Sequence, residues 1–170
     1  MEHLPAPSKV RDMARHQEKQ NLRFRAFLLS HAEAGELDAR FLQLHKEVFS
    51  GYDCCRCNNC CKEYFIIVDK AEISPIARYI DCTEDDFVSE HLMLNNGQYT
   101  LLERPCEFIE KDGRCRTQAC KPAVCRGFPY TDQPDRLASM YSILNSAETC
   151  PVVYGILQRL KAIYGFSVSR

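Results

Sequence analysis

The sequence predicts an α+β fold: a single small domain, mainly helical, with short strands or hairpins around a loop-rich core of metal-ligating cysteines. Three observations carry this expectation. Apolar residues recur at helical spacing toward both ends of the chain, and short β-prone runs bounded by turn residues occupy the middle. Eleven cysteines occur among 170 residues, five of them within Cys54-Cys55-Arg56-Cys57-Asn58-Asn59-Cys60-Cys61. The composition, 45% hydrophobic and 26% charged, is that of an ordinary globular domain, and a chain of this length buries roughly two-thirds of its unfolded surface. The cysteines are therefore not needed to staple an undersized core.

Residues 8 to 33 read as a helix with a polar face rich in Arg, Glu and Gln, capped by Ser8 and ended near Gly35. Leu37, Phe41, Leu44 and Val48 give a second amphipathic helix, closed by Gly51. The cysteine loop from Cys54 to Cys61 follows directly. Phe65-Ile66-Ile67-Val68 is a β-prone run, and Asp69 with Glu72 three residues on is a capping pair for the turn after it. Ser74-Pro75 marks a helix restart, because proline suits a first helical position. Thr83 with Asp86 opens a short helix running through His91 and Leu92. Asn96-Gly97 is a turn, Tyr99 to Leu102 a strand, and Lys111-Asp112-Gly113 a tight turn between Cys106 and Cys115. Thr149 and Pro151 start a last helix with an apolar stripe at Val153, Ile156, Leu157, Leu160 and Tyr164, which places Cys150 at a helix N-terminus. Residues 1–50 form an N-terminal helical segment and residues 51–170 a cysteine-cluster domain, expected to pack as one compact unit.

Lys and Arg total 22 against 23 Asp and Glu, a net charge of -1. This balance gives no reason to expect a nucleic-acid or membrane partner. Met1-Glu2-His3-Leu4-Pro5-Ala6-Pro7 has no basic region leading into an apolar one, and no apolar window approaches a membrane span. The expected location is the cytoplasm, where thiols stay reduced and clustered cysteines bind metal or do redox chemistry more often than they form disulfides.

Cys54, Cys57 and Cys60 stand at two-residue intervals, a spacing that lets sulfurs converge on one metal. The same run opens a bacterial ferredoxin pattern, but Tyr64 stands where a fourth cysteine would follow, and Cys150-Pro151 offers a remote replacement. A [4Fe-4S] centre on Cys54, Cys57, Cys60 and Cys150 is one reading, and a zinc site is the other, since sulfur ligands alone do not separate them. The adjacent Cys60 and Cys61 point to opposite faces if the backbone is extended, which favours two centres or a multinuclear one. Arg56, Lys62, Arg104, Arg114, Arg116, Lys121 and Arg126 all lie within two residues of a cysteine. Such cations favour thiolates, and Arg126 is the chosen candidate to tune the bound cofactor's charge and orientation.

These residues resemble the YkgJ family, zinc- or iron-chelating proteins named for a Cys-x-x-Cys-x-x-Cys-Cys run. The second half of the family pattern is similar to Cys106-Glu107-Phe108-Ile109, Asp112-Gly113-Arg114-Cys115 and Lys121-Pro122-Ala123-Val124-Cys125-Arg126-Gly127-Phe128-Pro129. The likeness runs from about residue 54 to 150. It departs at Gln118, where the family commonly has an aromatic residue, and at Lys121, where it has arginine. The resemblance implies a metal-binding protein with Cys54, Cys57, Cys60, Cys61, Cys106, Cys115, Cys125 and Cys150 as ligands. Its cofactor is an iron-sulfur cluster, with 4Fe-4S favoured, or Zn2+. An iron-sulfur centre would serve electron transfer or catalysis with a protein partner, and a zinc centre a structural interaction module. The resemblance also touches flagellin lysine N-methylases, which carry a similar cysteine domain in longer chains. Cys55, Cys82 and Cys120 stand outside the ligand set, and Cys82 is expected as a small packing residue. Of the five histidines, His45 is expected to be a solvated helix residue.

Overall fold

The computed structural model describes residues 4–167. The reading of Met1 to Pro7 as lacking a leader, and His3, rest partly or wholly on residues outside that range. The architecture is α+β. In chain order it comprises α1 (Val10–His16), α2 (Glu18–His31), α3 (Ala34–Phe49), α4 (Cys54–Cys57), α5 (Asn59–Glu63), β1 (Ile67–Val68), α6 (Lys70–Tyr79), α7 (Glu84–His91), β2 (Leu92–Asn95), β3 (Gln98–Leu101), α8 (Ala123–Gly127), α9 (Met140–Ser146) and α10 (Pro151–Ile163). A 3-10 turn covers Gln118–Cys120. Two compact units result. One joins the segment up to Tyr52 with the segment from Pro129 onward, and the other is Asp53–Phe128.

In the first unit the predicted stripe of α3 is buried at Leu37, Phe41, Leu44 and Val48. It packs against α10, where Val153, Ile156, Leu157 and Leu160 are buried as expected. The last helix thus shares a core with the N-terminal helices rather than with the cysteine segment. Full burial of side chains of this size contributes roughly 1.5–3 kcal/mol each. The helix expected over residues 8 to 33 is two helices, broken at Gln17 (φ -98°, ψ 6°). A tertiary network there outweighs helix propensity: Gln17 Nε2 donates to Tyr154 Oη at 3.0 Å, and Gln17 Oε1 accepts from Gln158 Nε2 at 2.7 Å. Lys9, not Ser8, precedes α1. Gly35 does not stop α2 but lies in the first turn of α3, where the Glu33 carboxylate accepts from Gly35 N at 3.0 Å and Glu36 N at 2.7 Å. His45 is half-buried rather than solvated, its Nδ1 lying 2.8 Å from Thr131 Oγ1 and its ring stacked on Phe49.

Lys161 is only 5% exposed, and its Nζ donates to Gln17 Oε1 and Gln20 Oε1, each at 3.2 Å. Burial pulls its ammonium down to about 8, from 10.5. The unfolded chain therefore holds the proton that the folded chain has lost between those two values, and stability rises with pH across that window. Below about pH 8 the lysine is charged in both states and the burial penalty is full. Lys161→Met is expected to flatten this rise, as measured by urea midpoints on either side of the window. An unchanged slope in the variant would contradict the assignment.

The second unit is built on a three-stranded antiparallel sheet of order β1-β3-β2. Ile67 pairs with Thr100 and Val68 with Tyr99, while Leu92 pairs with Leu101 and Asn95 with Gln98. β1 is shorter than the run from Phe65 that suggested it. Leu92, expected to end a helix, instead begins β2. The two-residue turn decides this: Asn96 and Gly97 both have positive φ, 49° and 80°, the geometry that matches hairpin twist. Asp69 and Glu72 form the capping box expected of them, and Thr83 Oγ1 caps α7 by accepting from Asp86 N at 3.1 Å. Pro75 lies inside α6 instead of starting it, because the capping box sets the start at Lys70. Ile66, Val68, Ile73, Ile76, Ala77, Phe87, Leu92, Leu101 and Phe108 form the core of this unit.

Candidate metal centre

The segment from Cys54 to Cys61 is not a loop. Asp53 Oδ1 accepts from Cys55 N at 2.9 Å and starts the single turn of α4, which Asn58 ends in the left-handed conformation (φ 53°, ψ 13°) before α5 begins. Cys54 and Cys57 therefore belong to one helical turn, and Cys60 and Cys61 to the next. The sulfurs of Cys60 and Cys61 lie 3.9 Å apart. Their expected divergence assumed extended backbone. In a helix successive side chains differ by about 100° of rotation, so neighbouring sulfurs can meet. Adjacent Cα atoms are about 3.8 Å apart, below the roughly 4.4–6.8 Å that an unstrained disulfide spans, so this contact suits a shared ion better than a cross-link. None of the eleven cysteines forms a disulfide.

The second group of thiols is assembled by the hairpin and by α8. Ile109 and Cys115 form an antiparallel bridge, Glu110 N donates to Arg114 O at 2.7 Å, and Gly113 turns the chain at φ +84°. Cys106 N donates to Cys61 O at 2.8 Å, tying the hairpin to α5. Asn58 Nδ2 donates to Gly113 O at 2.8 Å, tying its tip to the start of the same helix. Glu72 holds the remaining piece: its Oε2 accepts from Asp69 N, while its Oε1 accepts from Ala123 N at 2.6 Å at the start of α8, which carries Cys125. Cys106, Cys115, Cys120 and Cys125 all pack against the core of this unit, as does Cys82 in the packing role expected of it. Cys150 belongs to the other unit, where it is buried at the N-cap of α10, one residue beyond the expected cap Thr149.

The electrostatics single out Cys61. A hydrogen bond shared with Cys60, with Lys121 and Lys62 assisting, brings its thiol down to about 6 against the cost of burial, which favours the thiolate. Burial pushes Cys106 up to about 11 and Cys125 up to about 12, with the neighbouring Cys61 adding to both. Burial likewise raises Cys54, helped by Cys57 and opposed by Lys121. Thus the charged form is favoured at Cys61, while burial holds Cys54, Cys106 and Cys125 toward the thiol.

Of the seven cations near cysteines, five are occupied elsewhere. Arg56 pairs with Asp53, Arg114 with Asp112 and Arg126 with Glu72, while Arg104 and Arg116 lie over the rings of Phe65 and Phe108. Arg126 also donates to Lys121 O. It is thereby tied into the backbone around Cys125. Lys121 is the cation whose charge favours the thiolates of Cys54, Cys61 and Cys125. Sequence proximity alone ranks it no higher than the other six. Asn58, Gly113 and Glu72 also escape a search for donor residues, because they act by placing cysteines.

Among the described residues no three or more His, Cys, Asp or Glu side chains form a finished cation site. The Cys60 and Cys61 sulfurs are close together, and five further cysteines of the expected ligand set, Cys54, Cys57, Cys106, Cys115 and Cys125, lie in the same unit. A family model, CxxCxxCC, described as "Putative zinc- or iron-chelating domain", matches residues 53–151. The chain belongs to this family. It is the family whose cysteine run the sequence resembles, and the matched segment contains all eight cysteines of the expected ligand set. No curated protein and no solved structure matches the chain. The CxxCxxCC assignment makes metal the ligand class, in agreement with the clustered cysteines. Among the described residues no helix is long and apolar enough to cross a membrane.

Proposed function

We propose that the Asp53–Phe128 unit chelates a zinc or iron ion in a tetrahedral thiolate site nucleated by Cys60 and Cys61, in the reducing cytoplasm. The separation of those two sulfurs, 3.9 Å, carries the reading. A tetrahedron with metal–sulfur bonds of about 2.3 Å has an edge of about 3.8 Å. The fit is to the donor chemistry as well, since soft thiolates select zinc and iron over magnesium or calcium. Cys54, Cys57, Cys106, Cys115 and Cys125 are the thiols available to complete it. A bound ion of this kind cross-links chain segments and, if it is iron, exchanges electrons. The protein's part is to keep Cys61 ionised, to release protons from Cys106 and Cys125 on binding, and to offset the gathered negative charge with Lys121 and Lys62.

A [4Fe-4S] cluster is the second reading, supported by the Cys54-x-x-Cys57-x-x-Cys60 spacing. Such a cluster takes one cysteine per iron, so it leaves the close Cys60–Cys61 pair without a joint role. Anaerobic purification followed by metal and acid-labile sulfide analysis separates the two. Stoichiometric zinc or iron without sulfide is the expected result. Iron with equimolar sulfide would replace the first reading by the second, and protein free of both metals would overturn metal chelation altogether.

A further inference from the structure

The two cysteine segments of the unit are far apart in sequence, yet one amide sits where they meet. Asn58 separates α4 from α5 in a left-handed conformation that asparagine tolerates better than most residues. From there its Nδ2 donates to Gly113 O at 2.8 Å, at the tip of the hairpin that joins Cys106 to Cys115. The approach at this point is close. A Cβ on Gly113 would lie 2.1 Å from Cys55 O and 2.9 Å from Asn58 Oδ1. Asn58 thus does two separable things: its backbone sets the angle between the Cys54–Cys57 turn and the Cys60–Cys61 turn, and its side chain fixes the hairpin tip against both.

We infer that Asn58 is a positioning residue of the metal site, setting the distance between the two cysteine segments through its bond to Gly113 while touching no metal itself. The inference rests on the metal-chelation reading above. Groups beyond the ligands commonly alter metal affinity 10- to 100-fold when removed, because ligands that must be gathered on binding cost affinity. Asn58 acts at one remove from a sulfur, so the lower end of that range applies.

The test is anaerobic titration of Co(II) into the full chain, following thiolate-to-cobalt absorption and affinity by competition. Asn58→Gly keeps the left-handed backbone and deletes only the amide, and it is expected to weaken Co(II) binding roughly tenfold. Asn58→Asp keeps the shape but sets an acceptor against the Gly113 carbonyl, and it is expected to weaken binding at least as much. Ile76→Val is the control for general destabilisation: it alters the core of the same unit, lowers the melting temperature and leaves Co(II) affinity unchanged. Wild-type affinity and spectrum in Asn58→Gly would overturn the positioning role. So would a loss in Ile76→Val equal to that in Asn58→Gly at matched melting temperatures. A wild-type chain that binds no Co(II) would instead overturn the chelation reading, and the inference with it.

Discussion

Gly113→Ala is expected to destabilise the Asp53–Phe128 unit by about 3 kcal/mol or more. Two costs coincide at this position. The backbone is held at φ +84°, which L side chains rarely adopt, and the added Cβ would stand 2.1 Å from Cys55 O, a distance no real contact reaches. The nearest obstacle, Cys55 O, is backbone rather than the flexible end of a side chain, so the hairpin tip must withdraw from α4. Withdrawal also breaks the bond from Asn58 Nδ2. Gly97 supplies the internal comparison, because its φ is nearly the same, +80°, while nothing lies within 4 Å of its Cβ position. Gly97→Ala is expected to cost only the conformational part, about 1–2 kcal/mol. Urea denaturation of the two variants beside the wild type checks this, and equal losses at both positions would remove the close approach from the explanation.

Cys61→Ser is expected to abolish thiolate metal binding while leaving the metal-free protein folded. Serine does not ionise at neutral pH, so the one sulfur whose thiol is brought down to about 6 is replaced by a poor, neutral donor for a soft ion. The effect appears as lost stabilisation. Metal at some hundreds of times its dissociation constant stabilises a folded protein by about 3–4 kcal/mol, and the variant is expected to gain none of it. Cys60→Ser is expected to behave similarly for two reasons, since it removes both a neighbouring sulfur 3.9 Å away and the hydrogen bond that holds the Cys61 thiolate. Cys82→Ser, in a packing position beside the core, is expected to keep the metal response. Thermal melts with and without added zinc distinguish these outcomes. A full zinc-dependent rise in Cys61→Ser would exclude Cys61 from the site.

Where short-range chemistry governed, the sequence was legible. The amphipathic stripe of α3, the capping box of Asp69 and Glu72, the Thr83 cap and the Asn96-Gly97 turn all stand where their local patterns put them. The misreadings occur where a distant partner decides. Gln17 breaks a continuous helical pattern because Tyr154, Gln158 and Lys161 compete for its amide. Leu92 leaves a helix because Leu101 pairs with it across the hairpin. The same division runs through the candidate site. Spacing singled out the cysteines as candidate donors, whereas Lys121 differs from six other nearby cations only in which thiols the fold places around it.

The sequence by itself determined the class of ligand. Clustered cysteines at two-residue intervals are a chemical statement, readable without coordinates because thiolates select their metals by softness. Only the tertiary structure decided how the sulfurs are presented. It made the Cys54 to Cys61 stretch two helical turns hinged at Asn58, brought the Cys60 and Cys61 sulfurs to 3.9 Å, and pressed Gly113 against Cys55. The physical reason is that donor identity belongs to one residue at a time. Donor placement is instead a sum of caps, turns and close approaches between segments that meet only when the chain has folded.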